Sequence, residues 1–264
     1  MNNLKLIVLF SAFLFFLCVS EAQNNRGFVL CTWNIGHFSK GKKPYSLIKG
    51  TNFRSTLNEL QNFIETSACA DVLCVNEYNE VFGVDENGQN RITKDLVFSK
   101  YKYAEIGPLM GFSSNAIFSN YKIKNLKLCK FMISETLSAN LPRADNYYFL
   151  ECDLVVDKVK IKLVCAHTIS SASAASQSMI SEILNRYRNN EKVILCGDWN
   201  TQDFFLFKNS GYIVGNDGSM KTYPSKNYAF DNIAVKGLVM SEVKMIKIGI
   251  SDHYPLVCRI SLTE

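Results

Sequence analysis

Six short segments of this sequence lead apolar residues into side chains that bind cations, carry protons or orient water. Leu30-Cys31-Thr32-Trp33 runs into Asn34, and Val72-Leu73-Cys74-Val75 runs into Asn76-Glu77. Leu163-Val164-Cys165-Ala166 runs into His167, and Ile194-Leu195-Cys196-Gly197 into Asp198-Trp199-Asn200. Ala229-Phe230 leads to Asp231-Asn232, and Ser251-Asp252-His253 precedes Pro255. Strands lying side by side would set these acidic, Asn and His residues around one rim. Clustered carboxylates repel unless a cation or an imidazolium offsets them. The donors are hard oxygens and no CxxC pair is present, which favours Mg²⁺ or Mn²⁺ over zinc. Carboxylates for a metal, Asn for orientation and His for proton transfer or phosphate contact suit attack of water on phosphorus. Singly, each residue is ordinary. An Asp or Asn after a strand usually closes a turn, Glu77 could be a surface charge, and His167 could be a core histidine. The ordered set carries the reading.

The elements that must position these residues are legible as periodicity. Gly27–Trp33, Asp71–Val75, Asn115–Ser119, Tyr147–Val156, Val159–Ala166, Val193–Cys196, Ala229–Val235 and Pro255–Ile260 read as strands. Phe53, Leu57, Leu60 and Ile64 share one helical face, and Met179, Ile180, Ile183, Leu184 and Tyr187 another. A shorter third helix is expected to begin at Thr201, capped there before Asp203. The apolar stretch Phe204-Phe205-Leu206-Phe207 within it reads as a core-facing surface. The mixture implies an α/β layered sandwich with mixed or antiparallel sheets, because the tandem around Val156 and Val159 has the form of a hairpin.

Residues 1–22 read as a signal peptide. Lys5 precedes the apolar run Leu6 to Val19, and Ser20-Glu21-Ala22 has the form of a cleavage site. That run is about 14 residues long, short of the roughly 20 a spanning helix needs. A secreted or periplasmic location follows, with residues 23–264 as one domain, since no linker, repeat or charge block divides them. The net charge of +5 suits a polyanionic substrate without specifying one. Lys40, Lys42 and Lys43 lie in a polar loop. Lys122, Lys124, Lys127 and Lys130 alternate with Ile123, Leu126 and Leu128, as on a solvated strand face. Eight of the nine cysteines follow residue 22. Most of them sit inside apolar runs, where cysteine behaves as a small hydrophobe, and one or two bridges are left open.

Taken in order, Trp33-Asn34, Asn76-Glu77, Ala166-His167-Thr168, Gly197-Asp198-Trp199-Asn200, Phe230-Asp231-Asn232-Ile233 and Ser251-Asp252-His253-Tyr254-Pro255 resemble the endonuclease/exonuclease/phosphatase superfamily of DNase I-like fold. Ser114 to Ser119 is similar to that family's central strand, and Thr222-Tyr223-Pro224-Ser225 to its pre-strand loop. The resemblance spans about residues 28–260. It implies a four-layer sandwich of two packed mixed β-sheets flanked by helices, with the site at one rim. It further implies Asn34, Glu77 and Asp252 at the metal, and Asp198 and Asn200 on the attacking water and phosphate. His253, oriented by Asp231, would be general base or phosphate contact, and His167 would stabilise developing charge or the leaving group. Arg143 and His37 are candidate substrate contacts. Two positions depart from the family's pattern: Asn76 stands where Gln is usual, and Thr168 where Leu is frequent.

The expected activity is a metal-dependent phosphodiesterase or endonuclease. The alternatives are a sphingomyelinase-like or inositol-phosphate hydrolase and, less favoured, a non-catalytic binding module. The expected partner is a phosphate-ester substrate, with nucleic acid a candidate. No obligate protein partner is indicated, and a monomer is expected.

Overall fold

The structure is a computed structural model that describes residues 27–38, 48–49, 51–109, 114–132, 147–170 and 173–263. Residues 1–22, expected to be a signal peptide, together with Lys40, Lys42, Lys43, Arg143 and the side chain of His37, lie outside the described residues. In chain order the strands are β1 (Gly27–Asn34), β2 (Ile48–Lys49), β3 (Val72–Tyr78), β4 (Val81–Val84), β5 (Asn90–Ile92), β6 (Tyr103–Ile106) and β7 (Ser114–Ser119). They continue as β8 (Lys122–Lys130), β9 (Tyr148–Val156), β10 (Val159–His167), β11 (Val193–Asp198), β12 (Ile213–Val214), β13 (Asp231–Lys236), β14 (Leu238–Met245) and β15 (Leu256–Leu262). The helices are α1 (Thr51–Asn62), α2 (Thr93–Val97), α3 (Ser173–Arg186) and α4 (Phe205–Asn209).

Two six-stranded sheets carry the fold, in the orders β14-β15-β1-β3-β7-β6 and β12-β13-β11-β10-β9-β8, with a small sheet β2-β4-β5 beside them. Both large sheets are mixed. β1 pairs parallel with β3 and β10 parallel with β11, while the other pairings are antiparallel. Alternation decides which side chains meet between the sheets. Leu30, Val72, Cys74 and Ile117 from one sheet pack on Leu150, Leu163, Cys165, Ile194 and Cys196 from the other. The opposite faces are covered by helices. Phe53, Leu60 and Ile64 lie over Trp33, Val75 and Phe118. Ala175, Met179, Ile180 and Ile183 lie over Val164, Leu195 and Trp199. The result is a helix-sheet-sheet-helix sandwich, as the strand and helix periodicities predict. Each fully buried Leu or Ile contributes about 1.5–3 kcal/mol, so the three clusters supply most of the stabilising burial.

The expected hairpin is β9-β10, with Val156 opposite Val159. Its two turn residues, Asp157 and Lys158, have φ of 47° and 68°, the left-handed pair that a two-residue turn needs to match strand twist. The lysines of β8 are exposed, on the outer edge of the second sheet. β7 is buried throughout but lies one strand in from an edge rather than at the centre. α4 starts at Phe205 rather than Thr201, because the Asp203 carboxylate accepts the Phe205 N–H and Thr201 Oγ1 instead accepts the Asp203 N–H. Phe204 and Phe207 of that segment are buried and Phe205 is exposed. All eight cysteines from Cys31 onward are free, so neither of the bridges left open by the sequence forms.

Candidate active site

The parallel pairs bring Asn34, Asn76, His167 and Asp198 to one end of the two sheets. Asn34 is paired in register with Asn76, and His167 with Asp198. Asp231, inside the expected strand Ala229–Val235, is the first residue of β13. That strand runs antiparallel to β11, so it enters from the rim and sets Asp231 opposite Asp198. Asp252 and His253 likewise precede β15, which runs antiparallel to β1. Nearly every chemical group singled out in the sequence therefore converges on one rim.

Glu77 reaches that rim through a bulge. Val75 pairs with Ala116 and Tyr78 with Ser114, so Asn76 and Glu77 together face Asn115. Glu77 adopts φ of 52°, and the extra residue redirects its side chain from the helix-covered face toward Asn34. Two glycines permit close approach. A Cβ on Gly197, whose φ is 138°, would sit 1.9 Å from the Ala166 carbonyl oxygen; one on Gly36 would sit 2.6 Å from Asp252 Oδ1.

One carboxylate oxygen is the focus. Asp198 Oδ2 accepts a hydrogen bond from Asn34 Nδ2 at 2.9 Å. The Nε2 atoms of His167 and His253 lie 3.6 Å and 3.7 Å from the same oxygen. The Asn34 amide also reaches Glu77 Oε1 at 3.2 Å, while its Oδ1 accepts the Gly36 N–H. Asp198 Oδ1 accepts the Asn200 N–H at 3.0 Å, and the Asn200 amide donates to the Thr168 carbonyl at 2.8 Å. His253 Nδ1 lies 2.7 Å from Asp231 Oδ2. The Asp231 and Phe230 N–H groups both donate to Thr222 Oγ1. Ser251 Oγ donates to the Asn34 carbonyl and accepts the His253 N–H. The two tryptophans brace the rim from behind. Trp33 Nε1 donates to the His253 carbonyl and Trp199 Nε1 to that of Asn232. Tyr223 covers one face of the His253 ring at 4.7 Å between centroids.

Charge at the site is unbalanced toward the acid side. Burial alone would lower the His253 pKa, but the Asp231 and Asp198 carboxylates outweigh it and push the imidazole up to about 10. Burial pushes the Asp231 carboxyl up, with His253 pulling the other way. The short contact and opposite charges favour an imidazolium-carboxylate pair. Burial also pushes Asp252 up; His253 opposes this, while the charges of Glu77 and Asp198 add to it. A divalent cation would relieve that crowding, and the nearby donors are carboxylate and amide oxygens and imidazole nitrogens. Among the described residues, Asp198, Asp231 and His253 form one group whose ligand atoms all lie within 4.8 Å. The Asp231 Oδ1 atom is buried without a hydrogen-bond partner.

Asn115, Thr222 and Ser251 lie in motifs legible in the sequence, but their supporting role and the inward use of Asn76 are not. A polar residue inside an apolar strand, as in Ser114-Asn115-Ala116-Ile117, was the available signal, because a buried amide must find partners.

The pattern of the endonuclease/exonuclease/phosphatase family matches residues 31–253. No curated protein matches the chain by sequence. Among solved structures, the human Nocturnin catalytic domain with bound sulfate superposes with a TM-score of 0.67 at 15% identity, covering 90% of this chain and 94% of that one. TDP2 of D. rerio complexed with single strand DNA product superposes at 0.62 and 15% identity, covering 89% and 99%. An endonuclease/exonuclease/phosphatase from Beutenbergia cavernae superposes at 0.64 and 14% identity, covering 90% and 72%. At such identities these structures establish the shared fold.

Proposed function

Because this chain belongs to the endonuclease/exonuclease/phosphatase family, we propose that it is a divalent-metal-dependent phosphodiesterase, with nucleic acid the leading substrate. The observation that carries the reading is the convergence of Asn34, His167 and His253 on Asp198 Oδ2. Glu77 and Asp252, with Asn34 between Glu77 and Asp198, would hold Mg²⁺ or Mn²⁺. When bound, the ion supplies positive charge to the phosphate oxygens. Asp198 takes the proton of the attacking water, and Asn200 helps to align that water. His253, held as the imidazolium by Asp231, donates to a non-bridging phosphate oxygen. His167, whose Nε2 lies 3.6 Å from Asp198 Oδ2, stabilises the leaving oxygen. The bound sulfate of the Nocturnin domain and the DNA product of the TDP2 structure are anions of the kind this site would take, which supports the reading.

We further propose that residues 1–22 are removed as a signal peptide and that 23–264 act as a secreted or periplasmic monomer. N-terminal sequencing of exported protein and its mass in solution test these points.

Purified protein should hydrolyse bis-p-nitrophenyl phosphate, and DNA in preference to sphingomyelin or inositol phosphates, only with Mg²⁺ or Mn²⁺. Asp198→Ala and His253→Ala should each lower turnover by about 10²-fold or more while the protein stays folded. Activity that survives EDTA would remove the metal from the proposal, and near-parental rates in either variant would remove the site.

A further inference from the structure

On the reading that Asp198 activates water, we propose that Asn76 is a positioning residue that sets the spacing of the two sheets beneath the reacting groups. The catalytic set is divided between the sheets: Asn34 and Glu77 come from β1 and β3, while His167 and Asp198 come from β10 and β11. Apolar packing between sheets is non-directional, so it fixes their separation less sharply than hydrogen bonds do. Asn76 supplies those bonds. It is fully buried, and its side chain crosses from β3 to the opposite sheet. Its Oδ1 accepts the Asp198 N–H at 2.9 Å. Its Nδ2 donates to the Ala166 carbonyl at 3.1 Å and to Asn115 Oδ1 at 2.8 Å, with Cys165 Sγ at 3.7 Å.

The amide is itself held in one orientation. Asn115 Nδ2 donates to the Tyr148 carbonyl at 3.0 Å, and the Tyr148 hydroxyl accepts the Asn115 N–H and donates to the Pro108 carbonyl. Exchange of oxygen and nitrogen on Asn76 would set its NH₂ against the Asp198 N–H and its oxygen against the Ala166 carbonyl, so the orientation is determined by the partners. The bulge that turns Glu77 toward the rim leaves Asn76 pointing into the gap between the sheets. One local irregularity thus aims Glu77 at the site and ties its strand to the backbone of Asp198. The side chain touches no substrate; it acts through the position of Asp198.

Asn76→Leu keeps the volume and removes every bond. It should lower kcat on bis-p-nitrophenyl phosphate by about 100-fold with KM little changed, and amide exchange at Asp198 should quicken. Cys74→Ala, which thins the same inter-sheet core and spares every Asn76 bond, should retain most of the turnover. A folded Asn76→Leu protein with near-parental kcat and unchanged Asp198 exchange would overturn the proposal. So would equal losses in Cys74→Ala and Asn76→Leu, since that would mark a general loss of core order. If Asn76→Leu fails to fold, Asn76→Ser, too short to reach Asp198, is read by the same criteria. If the parent hydrolyses no phosphate ester with any metal, the proposed function fails. Asp198 exchange then still decides the positioning role: quicker exchange in Asn76→Leu supports it and unchanged exchange refutes it.

Discussion

At the scale of single residues, His253 is defined by the two carboxylates it lies between. Asp231 is 2.7 Å from Nδ1 and Asp198 is 3.7 Å from Nε2. Burial disfavours the charged ring, yet the carboxylates prevail and hold its pKa near 10, above the ordinary 6.5. The sign of the linkage follows. A raised folded-state pKa contributes stability in full below about pH 6.5, and that contribution is lost as pH rises through about 10. Asp231→Asn removes the nearer charge and leaves the burial penalty, so the ring should titrate at lower pH. Stability at pH 6 should fall by about 1–3 kcal/mol, with the gap to the parent closing above pH 10. NMR titration of the His253 ring and denaturant midpoints across that range measure both effects. An unmoved His253 titration in the folded variant would contradict this account. A divalent cation bound nearby would lower the His253 pKa, whereas a bound phosphate anion would raise it.

At the scale of elements, the strand-helix seam around Glu151 has its own charge chemistry. Glu151 lies on the helix-covered face of β9. It accepts hydrogen bonds from Arg186 Nε at 3.0 Å and from the Tyr187 hydroxyl, and it pairs with Lys162 and Lys127 at 3.4 Å and 3.5 Å. Burial would raise its pKa, but Tyr187, Lys162 and Arg186 outweigh it and bring the carboxyl down to about 2. A depressed folded-state pKa contributes stability above the ordinary value near 4.5 and loses it as pH falls toward about 2. Glu151→Gln should therefore cost about 1–2 kcal/mol at pH 7, discounted for the exposed Lys127 and Arg186 partners. The cost should shrink steadily between about pH 4.5 and pH 3. Urea midpoints at pH 7, 5 and 3 test it, and a deficit independent of pH would show a packing effect instead. The seam also bears on what sequence can reveal at this scale. The alternating pattern of Tyr148 to Val156 marks a strand with two acidic positions, Glu151 and Asp153, on its outer face, but not that Glu151 is ionised and held by Lys127, Lys162, Arg186 and Tyr187. The β3 bulge is likewise invisible in Val72-Leu73-Cys74-Val75-Asn76-Glu77, because its cause is the pairing with Asn115 across 39 residues of chain.

At the scale of the whole molecule, the sandwich replaces covalent staples with buried surface. Seven of the eight cysteines are buried and one, Cys69, is exposed at the end of the helical segment that follows α1. Burial pushes the thiols of Cys31, Cys74, Cys152, Cys196 and Cys258 up, which makes them poor nucleophiles. Native protein treated with iodoacetamide should be labelled at Cys69 alone among these eight, and at all eight after unfolding in guanidinium. Peptide mass mapping reads the outcome. Rapid native labelling of Cys165 or Cys196 would mean that the sheets part readily above the inter-sheet core. The same core sets the rim: side chains interdigitating between the sheets hold β1 and β3 facing β10 and β11, so the acidic residues cannot relax apart without exposing them to water.

The sequence by itself determined the residue types, their order along the chain and the alternation that buries one face of each strand. From those followed the layered α/β fold, the hairpin at Asp157-Lys158 and a rim of Asn34, Glu77, His167, Asp198, Asp231 and His253, because periodicity and strand ends are local properties. Tertiary structure alone decided which way β13 runs, and so that Asp231 lies at the rim opposite Asp198. It alone gathered the Asn34 amide and both imidazoles around one oxygen of Asp198, turned Glu77 inward by a bulge and set Asn76 across the gap between the sheets. It also left every cysteine from Cys31 onward unpaired. Each of these depends on contacts between residues distant in the chain, where distance and direction, rather than residue type, fix the charge and the hydrogen bonds.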